Sequence, residues 1–175
     1  FKETQINSKF DIDHNKKIIT LKKKKYIIKK SIITPVNYKV VIDPGVKIFL
    51  DKNISILVKG PLEAKGTKKN KISISSLDPV NPFGTFAVLS QKKTDTVKLK
   101  YLEIRGGNEA VIDGTYFSGQ LSVHSGNVFI SNSIFADSKS DDGINIKFAK
   151  VQIQNSIFTN NLGDQIDLDY CDGSF

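Results

Sequence analysis

The sequence has one cysteine, no methionine and a single arginine, Arg105. Cys171 has no partner for an internal disulfide, which excludes a disulfide-stapled scaffold. It reads as a free thiol. It does not exclude secretion, because a solenoid is held by its continuous core. No apolar run approaches the ~20 residues that a membrane-spanning helix needs. The opening residues Phe1-Lys2-Glu3-Thr4 lack the apolar core of a signal peptide, and the absence of Met at position 1 reads as a processed or trimmed start. No segment carries the pattern of a long helix. A phosphate-binding glycine-rich loop, Cys/His metal spacing and a Gly-x-Ser-x-Gly elbow are also missing. His14 and His124 are the only histidines, so a catalytic triad is open only through His124.

What remains is enough for one domain. The 175 residues, 39% of them hydrophobic, supply a sizeable core and exclude the disordered class. The net charge of +8 is unevenly spread. Residues 1–105 hold 23 Lys plus Arg against 9 Asp plus Glu, and residues 106–175 hold 3 against 9. The basic half is almost all lysine, which speaks against specific nucleic-acid recognition, where Arg supplies the bidentate contacts. The runs Lys22-Lys23-Lys24-Lys25 and Lys29-Lys30 are able to attract a polyanion. The plainer reading is a solvated strand face whose lysines discourage edge-to-edge aggregation.

Internal repetition is the strongest positive signal. Val128-Phe129-Ile130-Ser131-Asn132-Ser133-Ile134-Phe135 aligns with Val151-Gln152-Ile153-Gln154-Asn155-Ser156-Ile157-Phe158 at an offset of 23. Asp142-Gly143-Ile144-Asn145-Ile146 aligns with Asp164-Gln165-Ile166-Asp167-Leu168 at an offset of 22. Leu121-Ser122-Val123 falls one coil earlier. Each coil reads as three short strands, in the last full coil Ile144–Ile146, Val151–Ile153 and Ser156–Phe158, alternating apolar and polar between turns. Such strands bury their apolar faces only by stacking at ~4.8 Å. The stacking predicts the columns Leu121/Ile144/Ile166, Val123/Ile146/Leu168, Val128/Val151, Ile130/Ile153 and Phe135/Phe158. Asn132 and Asn155 fall together at a corner, where Asn tolerates left-handed backbone, and predict a structural asparagine ladder.

The first half is less regular. Val40–Ile42, Val46–Leu50, Ile54–Val58 and Ile72–Ile74 read as strands, with Pro44-Gly45, Gly60-Pro61 and Gly66-Thr67 as turns. Residues 78–84 and 106–119 break the period and predict projecting loops. The expected architecture is all-β: a single-stranded right-handed parallel β-helix of about 22–23 residues per coil, without long helices. It divides into a leading strand region or cap over 1–34, with strands at Ile18–Leu21 and Tyr26–Ile28, irregular coils over 35–119 and regular coils over 120–170. Such a chain is read as part of a longer protein.

The run Val41-Ile42-Asp43-Pro44-Gly45-Val46-Lys47-Ile48, then Gly60-Pro61-Leu62-Glu63-Ala64-Lys65-Gly66-Thr67 and Ile72-Ser73-Ile74, resembles the opening of bacterial right-handed parallel β-helix repeat proteins of the pectate-lyase-like superfamily. The Asn-Ser-Ile-Phe coils resemble their repeats. The resemblance covers residues 35–170 and implies the fold. That superfamily holds lyases, hydrolases and epimerases together with tailspikes, adhesins and non-catalytic surface modules, so the fold does not choose among them.

In this register Ser122, Asn145 and Asp167 form one outward row, and His124, Lys147 and Asp169 another. His124, Lys147, Asp167 and Asp169 are the candidate catalytic residues for acid–base work on a sugar acid. Asp167 and Asp169, two apart on one strand, suit the ~6.5–9.5 Å carboxylate separation of an inverting glycosidase. The structural alternative is a Lys147–Asp169 cross-strand pair on a polar face. Asp141, Asp142, Asp164 and Asp167 gather oxygen ligands at one corner and are the candidate calcium site. Asp142, Asp164 and Asp167 also resemble the stacked aspartates of polygalacturonases, but Gly163-Asp164-Gln165 lacks that family's doubled aspartate, and its His and Arg-Ile-Lys motifs are absent. With no complete catalytic constellation, the expected function is a non-catalytic surface module, extracellular or in the cell envelope. It would present a flat face to a polysaccharide or a surface protein. The alternative is a lyase, hydrolase or epimerase acting on an acidic polysaccharide through the His124/Lys147/Asp167/Asp169 face.

Overall fold

The structure, a computed structural model, describes residues 10–22 and 25–174. Among these residues every regular element is a β-strand. The reason is local: Val and Ile alternate with polar residues over short runs, and turn residues interrupt each run before a helix could nucleate. Among the described residues no helix is long and apolar enough to cross a membrane.

The strands fall into three stacks. The first runs through Ile18–Leu21, Lys39–Ile42, Leu62–Lys65 and Thr96–Lys100, then the later halves of Gly119–Ser131 and Asp142–Gln154. The second runs through Ile32–Ile33, Ile56–Val58 and Phe86–Leu89, the earlier halves of the same two long strands, and Asp164–Asp169. The third runs through Lys25–Ile28, Lys47–Leu50, Ile72–Ser76, Leu102–Arg105, Ile134–Ala136 and Ile157–Thr159. All of these pairings are parallel, and the chain returns to the three stacks in one cyclic order. This all-β arrangement of curled, mostly parallel sheets fits a β solenoid.

The register of the later coils follows the repeat. Leu121 pairs with Ile144 and Ile144 with Ile166; Val123, Ile146 and Leu168 do likewise; Val128 pairs with Val151, Ile130 with Ile153 and Phe135 with Phe158. These residues belong to one continuous apolar cluster that also takes in Ile19, Val40, Ile48, Ile74 and Ile104 from the earlier coils. In the earlier half the same spacing starts well, with Val40 opposite Leu62. It then stretches, so that Leu62 pairs with Val97 and Val97 with Val128. The extra length lies in the segments around 66–71, 78–84, 90–95 and 106–119.

Corners repeat as faithfully as strands. Gly106, Asp137 and Asn160 form one column of left-handed residues, with φ of 76°, 60° and 56°. Tyr101, Asn132 and Asn155 form a second, at 47°, 52° and 48°. A third contains Ser125, Phe148 and Tyr170, at 71°, 55° and 53°. The Asn132 and Asn155 corner thus adopts the backbone expected of it. It is tied by the Asn132 N–H donating to the Gln154 carbonyl at 3.1 Å; among the described residues the two Asn side chains do not bond each other.

The two expected loops do not simply project. Phe83 in the 78–84 segment is fully buried, because its ring gains more from the core than from water. The 106–119 segment contains an antiparallel hairpin, Ala110–Ile112 with Thr115–Phe117. At the other end, Asp11–Asp13 pairs antiparallel with Ile18–Leu21 and lies at the edge of the first stack. Of the lysine runs, Lys23 and Lys24 lie outside the described residues, as do Phe1 to Lys9.

Candidate functional site

The hairpin decides the character of the second stack's outer face. Ile112 and Phe117 form a separate apolar cluster with Leu57 and Ala87, with Ile33 and Leu89 at its margin. Leu57, Ala87, Ser122, Asn145 and Asp167 are successive members of one outward row. The row is apolar where the hairpin lies and grows polar beyond it. Lys59 pins the hairpin turn through an ion pair to Asp113 at 2.6 Å.

This corrects the expectation that Ser122 and Asn145 stand on an exposed face: both are completely buried. Strand alternation places a side chain outside the core of its own coil, but it does not say whether that side of the strand is open to solvent. Ser122 turns its hydroxyl to the local backbone, accepting from the Gly119 N–H at 3.1 Å. Asn145 donates through Nδ2 to Asp167 Oδ2 at 2.6 Å.

His124, Lys147 and Asp169 are adjacent members of the second row, as the repeat predicts. They are engaged with the protein itself. The His124 ring packs on Phe117 at a centroid distance of 4.7 Å. Burial holds its pKa below the ordinary histidine value, and the Lys147 charge pushes the same way, with Asn145 and Asp169 opposing. A neutral imidazole therefore sits there at neutral pH. Neither His124 Nε2 nor Asn145 Oδ1, both buried, has a well-aligned hydrogen-bond partner. Lys147 Nζ lies 2.8 Å from Asp169 Oδ2. That contact raises the Lys147 pKa and lowers that of Asp169. Cys171, half-buried and free, has its Sγ 3.3 Å from the Ile146 carbonyl.

The four corner aspartates separate by environment. Asp141 and Asp164 are exposed, Asp167 is intermediate and Asp142 is buried. Among the described residues no three His, Cys, Asp or Glu side chains gather so as to hold a metal ion, so no cluster stands behind the calcium reading of these residues. Asp142 has instead become an unusual acid. Burial pushes its carboxyl up to about 6; the charges of Asp167, Asp141 and Asp164 add to the rise, and Ser118 opposes it.

Sequence reasoning missed two neighbours of this face, Phe148 and Tyr170. They directly follow Lys147 and Asp169 and occupy equivalent corner positions in consecutive coils. Their rings stack at 5.1 Å with an interplanar angle of 5°, yet they remain 61% and 83% exposed. The 22-residue offset that aligns Lys147 with Asp169 also aligns these two aromatics, and that was the available signal.

No family model, curated protein or solved structure matches the chain.

Proposed function

We propose that the chain is a right-handed parallel β-helix of the pectate-lyase-like kind. In this reading it serves as a non-catalytic surface module, extracellular or in the cell envelope, that presents a glycan-binding corner. One observation carries this reading: two stacked aromatic rings stand exposed on backbone that disfavours them. Left-handed φ in a bulky residue costs on the order of 1–3 kcal/mol. Exposed apolar surface gains nothing from water. A sugar ring offers an apolar C–H face that covers such a platform, while its hydroxyls bond polar groups at the rim. Lys147 and Asp169, which directly precede the two rings in sequence, form an ion pair at 2.8 Å and give this corner a polar neighbour.

The same face speaks against acid–base chemistry by His124, Lys147, Asp167 and Asp169. The imidazole is packed beneath Phe117, the amine is paired and Asp167 is held by Asn145. A second reading has a specific observation in its favour. Asp142, with its pKa near 6, retains a proton at mildly acidic pH and suits a general acid in glycoside cleavage.

Titration with neutral and uronic-acid oligosaccharides, followed by calorimetry, tests the first reading. The double variant F148A/Y170A is expected to lose about 10- to 100-fold in affinity for the neutral oligosaccharides, since buried aromatic anchors carry ~1–2 kcal/mol each in binding. Unchanged affinity in that variant overturns it. The same oligosaccharides, assayed for unsaturated or reducing ends, are expected to remain intact. Turnover that disappears in D142N would establish the second reading instead.

A further inference from the structure

The third stack carries a second concavity, remote in sequence from the aromatic corner. It is a groove of about 690 Å³ whose walls include Lys47, Lys68, Lys69 and Lys71, with Glu103 and Arg105 at one side. We infer that this groove is a binding site for an anionic polysaccharide, one whose carboxylate or sulfate groups recur along the chain.

The groove is built by an insertion. Residues 66–71 lengthen one early coil and fold into a tight turn. Thr67 N–H donates to the Asn70 carbonyl at 3.0 Å, and Asn70 N–H returns to the Thr67 carbonyl at 3.1 Å. The turn is anchored at both ends: Gly66 N–H donates to the Lys100 carbonyl at 2.7 Å, and Ile72 N–H to the Tyr101 carbonyl at 3.0 Å. Gly66 is needed for that approach, since a Cβ there would stand 2.6 Å from the Tyr101 carbonyl oxygen. The ammonium groups of Lys68 and Lys69 are thus carried by an anchored turn rather than by a free loop.

The charge arrangement calls for a partner. Arg105 is satisfied internally by Glu103 and Asp137. Among the described residues, none of Lys47, Lys68, Lys69 and Lys71 has a carboxylate within ion-pairing distance. Elsewhere on the same basic half Lys22 pairs with Asp11, and Lys39 and Lys65 with Glu63; among the described residues Lys29 and Lys30 also lack an ion pair, so what sets the four groove lysines apart is that they share one concavity. Four like charges sharing one concavity repel one another, and an incoming anion relieves that repulsion.

The chemistry of the lining selects the class of anion. Lysine offers a mobile point charge without the planar fork that reads phosphate or base edges bidentately. Among the described residues no aromatic side chain lines the groove, so the stacking platform on which single-stranded nucleic acids depend is not found there. Ser73 and Ser75 project from the strand floor of the groove and suit sugar hydroxyls. An open trough of spaced cations over hydroxyls matches a polymer of acidic sugars better than a single small anion.

The test measures binding of polygalacturonate and of heparin oligosaccharides at low and moderate salt, using the full chain. The triple variant K68Q/K69Q/K71Q is expected to lose about 10- to 100-fold at low salt, from ~0.5–1 kcal/mol per exposed charge contact. The wild-type affinity should fall as salt rises. K29Q/K30Q, which removes two lysines outside the groove, should change affinity by less than about twofold, because charges that make no contact with the ligand act on it only through the salt-screened field. Undiminished binding in the triple variant overturns the proposal, as does an equal loss in the control pair, which would mean attraction by net charge alone. Tighter binding of single-stranded DNA than of either glycan would also overturn it. Inorganic sulfate competing as well as the polymer at equal sulfate concentration would reduce the groove to a simple anion site and count against it. F148A/Y170A separates this site from the corner: it should keep acidic-polymer binding in the groove whether or not it loses neutral oligosaccharides.

Discussion

Two carboxylates, one in each half of the molecule, are driven in opposite directions by the same scaffold. Glu63 belongs to the basic half. Hydrogen-bonded ion pairs with Lys39 and Lys65, each at 2.6 Å, hold its carboxyl down to about 2. Asp142 belongs to the acidic half, where its strand position lies opposite Gly119 on one side and Asp164 on the other. There, burial and neighbouring aspartates push it up to about 6. A parallel stack places equivalent residues of successive coils side by side, so charge in one coil is paired or opposed by whatever the next coil repeats. In the basic half the repeat is broken, and at Glu63 a carboxylate meets lysines. In the acidic half the repeat is faithful, and aspartate meets aspartate.

The largest expected effect is at Asp142. Its folded pKa lies above its unfolded value of 3.8. The folded chain therefore holds a proton that the unfolded chain has released between about pH 4 and 6, and stability falls as pH rises through that window. Asp142→Asn removes this dependence. We expect the variant to match the wild type at pH 3.5 and to exceed it by roughly 3 kcal/mol at pH 7.5, read from urea unfolding at both. A variant that is less stable at pH 7.5 would show that the ionised carboxylate is held by a favourable contact.

Glu63 should respond with the opposite sign and a smaller size. Its folded pKa lies below the unfolded value of 4.5, so its contribution is present above that pH and is lost as pH falls toward about 2. The pairs are partly solvated, which limits them. Glu63→Gln should cost about 1 kcal/mol at neutral pH and nothing near pH 2. The loss should also shrink in high salt. Equal costs at both pH values would mean that the side chain acts through packing alone.

The contrast also explains what was legible in the sequence. Columns such as Leu121/Ile144/Ile166 and Phe135/Phe158 were readable because exact repetition fixes register, and register fixes which residues stack. The Lys147–Asp169 pair followed from the same arithmetic. The burial of Ser122 and Asn145 was not readable, because alternation tells only which side of the strand a residue takes; nor was the hairpin from the non-repeating 106–119 segment, whose Phe117 and Ile112 find Leu57 and Ala87 across a long stretch of chain. The basic groove was hidden for the same reason. Lys68, Lys69 and Lys71 read as one more solvated run, and only the anchoring of their turn to residues 100 and 101 places them against Lys47. Repeats write their own geometry into the sequence; insertions do not.

The smallest effect is expected within the acidic half, at the third corner, where Ser125 gives way to Phe148 and Tyr170 as the coils proceed. All three residues have left-handed φ, but serine fills the position at little cost and a phenyl ring does not. Phe148→Asn places at this corner the residue type that serves Asn132 and Asn155. It relieves backbone strain of about 1 kcal/mol or more and forfeits a ring stack with Tyr170 worth ~0.5–1.5 kcal/mol. The net change in unfolding free energy should therefore stay within about 1 kcal/mol of zero. Oligosaccharide affinity in the same variant should drop about tenfold, the share of one aromatic anchor. A corner kept only for structure predicts that asparagine is tolerated in both measurements. A corner kept for a ligand predicts that stability is spared and binding is lost, and one protein preparation measured by chemical unfolding and by calorimetry distinguishes the two.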